Sequence, residues 1–362
     1  MHIGFLQAYF SRSSIGGGEH HTERLARALE QRGHEVTIFT DAPNERRKGI
    51  DDLDVREYPT PAKLNPINEL SLAQRAFEDM QACDVVTLSD DSAWRGVDLP
   101  VPTAMVFHIV WHGWVERHRP ITRILREKPQ ALLYRHMERK ICRKADAIVS
   151  ISPNVRDDIL LVGTVEDKLI DIPNGVDIER FSPVEDSYNE FTVHFQGRLV
   201  EMKNPGLLVE AAYSSEENWR LLIGGDGPLR EKLEARVGEY GLEDRVEFIG
   251  YVPDKELPER YARADVFALP SDYEGMPLTV LEAAASGTAI LASPRAATDF
   301  VTDEMGVVVD PDADAIAGAL DELARDPDRV ARMGKAARDR VEDYSWAAIA
   351  EQYESLYEDL TE

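Results

Sequence analysis

Cysteine is almost absent: Cys83 and Cys142 are the only two in 362 residues. That excludes a disulfide scaffold and fits a reducing, cytoplasmic compartment. Long apolar runs are missing as well. No stretch approaches the ~18–20 continuous apolar residues that a membrane span requires. The opening MHIGFLQAYFSRSSIGGGEHH lacks the basic leader and long apolar core of a signal peptide. Positive charge is in short supply, with 41 Lys and Arg against 67 Asp and Glu and a formal net charge of −26. Nucleic acid is therefore a poor partner, because affinity for it comes largely from neutralising phosphates. The carboxylates are spread along the whole chain, and Arg outnumbers Lys. This reads as a surface suited to high salt, as in a halophile; the plainer alternative is an acidic protein kept soluble by its charge.

What the chain does have is apolar material for large cores, 43 % of its residues. Its length suits two domains better than one. HIGFLQ reads as a strand, SRSSIGGG as a turn, EHHTERLARALEQRG as a helix closed by Gly33, and HEVTIFT as a second strand. The pattern recurs in DVVTLS, PTAMVFH, ADAIVSIS and KLIDIPNG. Strands this apolar, alternating with helices, predict a parallel sheet covered on both faces. FSPVEDSYNEF, near residues 180–190, reads as a linker. A second alternation follows: FTVHFQGR, WRLLIGGDG, RVEFIGYV, ADVFALPS, TAILAS and GVVVD. The reading is an α/β chain of two Rossmann-like doubly wound domains, 1–183 and 184–345. The amphipathic helix 346–362, with Ile349, Tyr353 and Tyr357 at four-residue steps, is expected to pack back on the first. Ligands of open α/β sheets bind outside the carboxyl ends of the strands, so the expected site lies in a cleft faced by both domains.

Two motifs fall at such strand ends. In SDYEGMPLTVLEAAASG, residues 271–287, Glu274 precedes a helix and Glu282 lies within it. Pro277 suits the first helical position, and Gly287 ends the helix. The amides near Leu278 and Thr279 would form an anion site at the positive end of the helix dipole. Carboxylates repel phosphate but accept strongly from sugar hydroxyls. Hexose, diphosphate and ribose in line would match that layout. In GRLVEMKN, Gly197 lets the backbone turn while Arg198 and Lys203 project near the next helix start. Both cations suit a diphosphate, although Lys203 could instead pair with its neighbour Glu201.

GRLVEMKNP, GGDGPL, GYVPDKEL, SDYEGMPLTVLEAAASG and IPNGVDIERF together resemble the retaining glycosyltransferases of family 4, which have the GT-B fold. The Gly-rich start and the closing SWAAIAEQYESLY are similar too, so the resemblance covers almost the whole chain. It implies transfer of a hexose from a UDP- or GDP-linked sugar to a glycan, lipid-linked or small acceptor, with no cofactor and no bound metal. Glu274 would hold donor-sugar hydroxyls, and Glu282 the ribose. Arg198 and Lys203 would stabilise the leaving diphosphate, helped by the backbone around Gly275, Met276, Leu278 and Thr279. Tyr251 and Val252 would cradle the base. Gly16 and Gly17 would bring backbone close to phosphate or acceptor, and His108 would touch the donor sugar or reacting centre. EGMP departs from the EGFG-like sequence common in the motif, which bears on sugar preference.

His108 and His112 are spaced like a metal pair, but VFHIV is strand-like and no Glu lies between them. From Arg117 to Lys144, ten Arg or Lys stand against Glu127 and Glu138. Trp111, Trp114, Ile121, Ile124, Leu125, Leu132, Leu133 and Tyr134 lie in or beside that stretch. Such a surface suits peripheral contact with anionic lipid at the inner face of the cell membrane; cations pairing with the protein's own carboxylates are the alternative. Two other functions use similar halves: a nucleotide-sugar epimerase and a non-catalytic carbohydrate-binding subunit. Dehydrogenase chemistry is disfavoured because SIGGGEHH lacks the spaced GxGxxG fingerprint.

Overall fold

The computed structural model describes residues 1–11, 16–42, 49–59, 67–89, 93–110, 134–163 and 165–362. Trp111, His112, Trp114 and the basic stretch from Arg117 to Leu133 lie outside the described residues. The chain forms two compact units, Met1–Gly175 with Trp346–Glu362, and Val176–Ser345.

In the first unit the strands are β1 (His2–Leu6), β2 (Glu35–Asp41), β3 (Asp54–Tyr58), β4 (Val85–Ser89), β5 (Thr103–Phe107), β6 (Ala147–Ser150) and β7 (Leu169–Asp171). They form one parallel sheet in the order β3-β2-β1-β4-β5-β6-β7. β4, β5 and β6 are buried along their whole length, in keeping with sequences that are apolar apart from small hydroxyl residues. The sequence reading has no counterpart for β3: DVREY is polar and lies at the sheet edge, mostly half-buried. Helix α1 (Gly17–Gln31) buries Leu25, Ala26, Ala28 and Leu29. It ends where Gly33 takes φ +92° and the amide of His34 reaches back to Leu29 O at 3.2 Å, a Schellman-type closure. Helix α2 (Pro153–Val162) follows β6, capped by the Ser152 hydroxyl.

The second unit has β8 (Thr192–Gln196), β9 (Arg220–Gly224), β10 (Val246–Gly250), β11 (Val266–Leu269), β12 (Ala289–Ala292) and β13 (Gly306–Val308), all parallel, in the order β10-β9-β8-β11-β12-β13. Its helices include α3 (Pro205–Ser214), α4 (Arg230–Tyr240), α5 (Leu257–Ala262), α6 (Leu278–Ala285), α7 (Ala313–Arg325) and α8 (Pro327–Val341).

The division between units falls between Gly175 and Val176, ahead of the segment that reads as a linker. That segment is held inside the second unit. Arg338 on α8 donates from one guanidinium nitrogen to the carbonyls of Ile178, Phe181 and Ala285 at 2.8–2.9 Å. Phe181 is buried, and Tyr188 lies under the Arg263 guanidinium at 4.6 Å. Its polar composition conceals these contacts, which depend on residues far along the chain.

The last helix, α9 (Trp346–Thr361), belongs to the first unit and packs on α1. Ile349, Tyr353 and Tyr357 are fully buried. The Tyr357 hydroxyl lies 2.6 Å from Thr87 Oγ1 on β4, and Glu354 accepts from His34 Nε2 at 2.7 Å and pairs with Arg32. Burying three such side chains contributes roughly 1.5–3 kcal/mol each.

Candidate active site

Strand order in the second unit changes direction between β8 and β11. Their connections leave to opposite sides, opening a crevice at the carboxyl ends. The loop after β8 runs through Arg198, makes a 3-10 turn at Glu201–Lys203 and reaches Asn204 in the left-handed region, φ 50° and ψ 40°. Asparagine tolerates that conformation because its short amide bonds locally. Its Nδ2 donates to Pro270 O at 3.1 Å and to Asp272 Oδ1 at 2.6 Å, while the Asp272 amide donates to Met202 O at 2.9 Å. These bonds stitch the loop after β8 to the loop after β11.

The stitch brings Lys203 Nζ to 2.6 Å from Glu274 Oε1, with both side chains largely buried. Lys203 thus pairs across the crevice with Glu274 rather than with adjacent Glu201. Arg198 is exposed and has no side-chain partner among the described residues. The loop therefore carries one cation held by a carboxylate and one cation open to solvent.

Gly197 has no steric need to be glycine: a β-carbon there would sit 3.5 Å from Phe195 Cζ, an ordinary contact. The sequence reading gave it the turn, but the demand lies across the sheet at Gly225. That residue has φ +112°, and a β-carbon on it would fall 1.9 Å from Gly197 O. The Gly197 amide donates to Gly224 O at 3.1 Å, and the Gly225 amide to Gly250 O at 2.7 Å. The ends of β8, β9 and β10 are thereby drawn together. Beyond Gly250, Tyr251 presents 79 % of its surface while Val252 is buried. The exposed Tyr251 ring offers a stacking face.

Pro277 is the N-cap of α6, φ −73° and ψ 119°, and Leu278 is the first helical residue, one position later than the sequence suggests. The amides of Leu278 and Thr279 have no acceptor among the described residues; the first bonded amides are those of Val280 and Leu281, both to Pro277 O. Thr279 Oγ1 is buried with no partner among the described residues. The helix mouth thus holds two unused N–H donors and an unused hydroxyl. Met276 is buried, Gly275 half-buried, and Glu282 lies further along α6, where it accepts from the Tyr261 hydroxyl at 3.0 Å. Burial, reinforced by the charge of Glu282, raises the Tyr261 phenol well above its ordinary range and keeps it a donor.

In the first unit Gly16 and Gly17 are exposed at the start of α1, and a β-carbon on Gly17 would meet nothing within 4 Å. Gly16 is extended; its amide donates to Glu19 Oε2 at 2.8 Å. Close approach occurs instead at Gly18, where a β-carbon would lie 3.3 Å from His108 Cδ2. His108 follows β5. Its Nε2 is enclosed without a partner among the described residues, and burial lowers its pKa to about 4. Among the described residues no group of three or more His, Cys, Asp or Glu is arranged to hold a metal ion.

Sequence reasoning missed Asn204, Asp272, Tyr261 and His21. The signal for Asn204 was present, an Asn directly before a Pro that opens a helix. The others reveal themselves only through contacts distant in sequence.

Two family models match the chain: Glycosyltransferase Family 4 over residues 15–180 and Glycosyl transferases group 1 over residues 177–340. The chain is 26% identical to the MMP alpha-(1->4)-mannosyltransferase of Mycolicibacterium hassiacum over 98% of this chain and 97% of that protein. It is 32% identical to the GDP-mannose-dependent alpha-(1-6)-phosphatidylinositol monomannoside mannosyltransferase of Mycobacterium tuberculosis over 60% of this chain and 62% of that one. Among solved structures, sucrose-phosphate synthase from Thermosynechococcus elongatus superposes with a TM-score of 0.85 at 25% identity, covering 99% of this chain and 98% of that one. HepE of Anabaena in complex with UDP-glucose superposes with a TM-score of 0.80 at 18% identity, covering 99% and 100%.

Proposed function

The chain belongs to glycosyltransferase family 4 and has the GT-B fold, and from that premise we propose that it is a retaining hexosyltransferase using a nucleoside diphosphate sugar. The observation that carries the reading is the Lys203–Glu274 pair at the switch point of the second sheet, with Arg198 unpaired in the same loop. A diphosphate entering the crevice competes for Lys203 and meets Arg198, which can bind it bidentately. Glu274, released from Lys203, can then accept from sugar hydroxyls. The amides of Leu278 and Thr279 and the Thr279 hydroxyl add donors for phosphate. Glu282, steadied by Tyr261, accepts from ribose, and Tyr251 stacks on the base. As the glycosidic bond breaks, negative charge grows on the leaving phosphate. The cations and helix mouth stabilise it there more than in the bound donor, which is what lowers a barrier. The leaving phosphate itself takes the proton of the acceptor hydroxyl, on the same face from which it departs.

The donors are UDP- or GDP-linked sugars. The acceptor class is a glycan, a lipid-linked or a small hydroxyl compound. Peripheral contact with an anionic bilayer is supported by exposed Arg139 and Arg143, together with exposed Leu160 and Leu161 at the end of α2. The carboxylate coat supports adaptation to high salt.

The test is thermal shift and calorimetry with UDP, GDP and ADP and their hexose conjugates in high salt. One base is expected to bind and stabilise, and Arg198→Ala to weaken that binding at least tenfold. Equal affinity of wild type and variant for every diphosphate would remove the assignment. Sedimentation with phosphatidylglycerol vesicles checks the bilayer contact, which no pelleting above background would end.

A further inference from the structure

Two buried imidazoles meet in the first unit. His21, on α1, is 1 % exposed, and its ring stands edge-on to that of His108 with centroids 4.8 Å apart at 70°. His21 Nδ1 lies 2.9 Å from Asn174 Oδ1, in the segment after β7, and its Nε2 lies 3.5 Å from the Tyr353 hydroxyl on α9. Trp346, at the start of α9, closes a further side with ring centroids 5.4 Å apart. Four neighbours, Asn174, Tyr353, Trp346 and His108, thus meet the His21 ring. His108 differs: apart from its contacts with Gly18 and His21, its Nε2 has no partner among the described residues.

We infer that His21 is the positioning residue of His108, its tautomer set by Asn174 and its ring wedged by Tyr353 and Trp346. This rests on the reading that His108 faces the donor sugar. An acceptor at Nδ1 selects the Nδ1–H tautomer and leaves Nε2 to accept from Tyr353. A neutral ring so fixed presents one edge to His108 and holds it by shape and quadrupole, preferring the perpendicular contact seen. Neutrality matters because a charged His21 would sit directly against its partner ring. Burial first, and then the repulsion that would arise between the two rings if both were protonated, lower the His21 pKa well below the usual value, against the opposing bond to Asn174. The arrangement also gives the return of the C-terminal helix to this unit a functional consequence, since Trp346 and Tyr353 complete the wedge.

The test uses the full chain labelled with 15N-histidine and long-range proton–nitrogen correlation, which reads ring tautomers directly. In wild type, His21 is expected as the Nδ1–H form across pH 5 to 8. Asn174→Ala should mix the His21 tautomers and move the His108 ring signals, whereas Asn174→Asp, which retains the acceptor, should restore the Nδ1–H form. His21→Gln should lower kcat about tenfold while donor KM changes less than about twofold, with UDP-glucose and GDP-mannose as the donor probes. Should His21→Gln not fold, or neither donor turn over, Asn174→Ala decides, because it leaves both rings in place. A His21 found as Nε2–H in wild type overturns the inference, as do unchanged His108 signals when the His21 tautomer has switched. Full turnover in His108→Ala would instead sink the role of His108 while leaving the paired rings standing.

Discussion

Arg198 and Lys203 share one loop and one charge, but their surroundings give substitution at each a different cost. Lys203 faces a carboxylate that is 9 % exposed, so Lys203→Ala strands Glu274 in a poorly solvated place. Breaking a fully buried pair costs about 3–5 kcal/mol; with solvent still reaching both groups here, roughly 2 kcal/mol is expected. Arg198→Ala removes an exposed, unpaired side chain and should stay within about 0.5 kcal/mol. Urea unfolding of the two variants checks this contrast. Adding Glu274→Gln to Lys203→Ala should recover most of the loss, since the stranded charge is gone. Equal destabilisation by Arg198→Ala and Lys203→Ala would mean the ion pair contributes nothing. The residues in this contrast were legible from the sequence, but which cation is paired was not. The side-chain types follow from the motif, whereas the pairing follows from a stitch made by Asn204 and Asp272 across two loops.

Between elements, the second unit depends on a few atoms that fasten one segment to another. Asp321 on α7 accepts from Ser215 Oγ, from the amides of Glu216 and Glu217 and from Trp219 Nε1. Burial pushes its pKa up, but these hydrogen bonds prevail and hold it below the ordinary 3.8. Asp321→Ala leaves a buried indole N–H and the Glu216 amide without their acceptor, the Glu217 amide keeping Ser215 Oγ at 3.1 Å, and should cost about 2–3 kcal/mol, while Asp321→Asn, still an acceptor, should cost less. Because the folded pKa is depressed, the contribution of this carboxylate is present above about pH 3.8 and is lost as pH falls through the folded value. Thermal melts of both variants at neutral pH measure the difference. Gly225→Ala is a harsher test. The new methyl would lie 1.9 Å from a backbone oxygen at a residue with φ +112°, so more than about 3 kcal/mol of destabilisation is expected. Gly17→Ala, with nothing within 4 Å, should be nearly neutral to stability.

At the scale of the molecule, the two units should respond unequally to acid. His21 and His108 lie in the first unit and His194 in the second, all with pKa values lowered chiefly by burial, the last two to about 4. The unfolded chain takes up protons at these side chains below pH 6.5, whereas the folded chain does not. Stability is therefore fully present above that pH and declines toward about 4, by up to roughly 1.4 kcal/mol per pH unit for each histidine. The first unit should lose stability faster. Unfolding followed by probes in each unit at about 1 M salt, where the Debye length is ~3 Å and the −26 net charge is screened, isolates this effect. Equal slopes in both units would contradict it. At neutral pH the same screening should raise the melting temperature of so acidic a chain, and no change would remove the salt-adapted reading.

The strands, the principal helices and the family could be read from the sequence alone. Apolar runs, four-residue steps and glycine or proline at helix ends are local signals that need no knowledge of distant residues. The polar edge strand β3 escaped because it carries no such run. Only the folded chain decides that Glu274 meets Lys203, that residues 176–191 belong to the second unit and that His21 wedges His108. Each of these contacts joins residues far apart along the chain, and which segments are neighbours depends on the order in which the strands enter the sheet. No local stretch of sequence records that order.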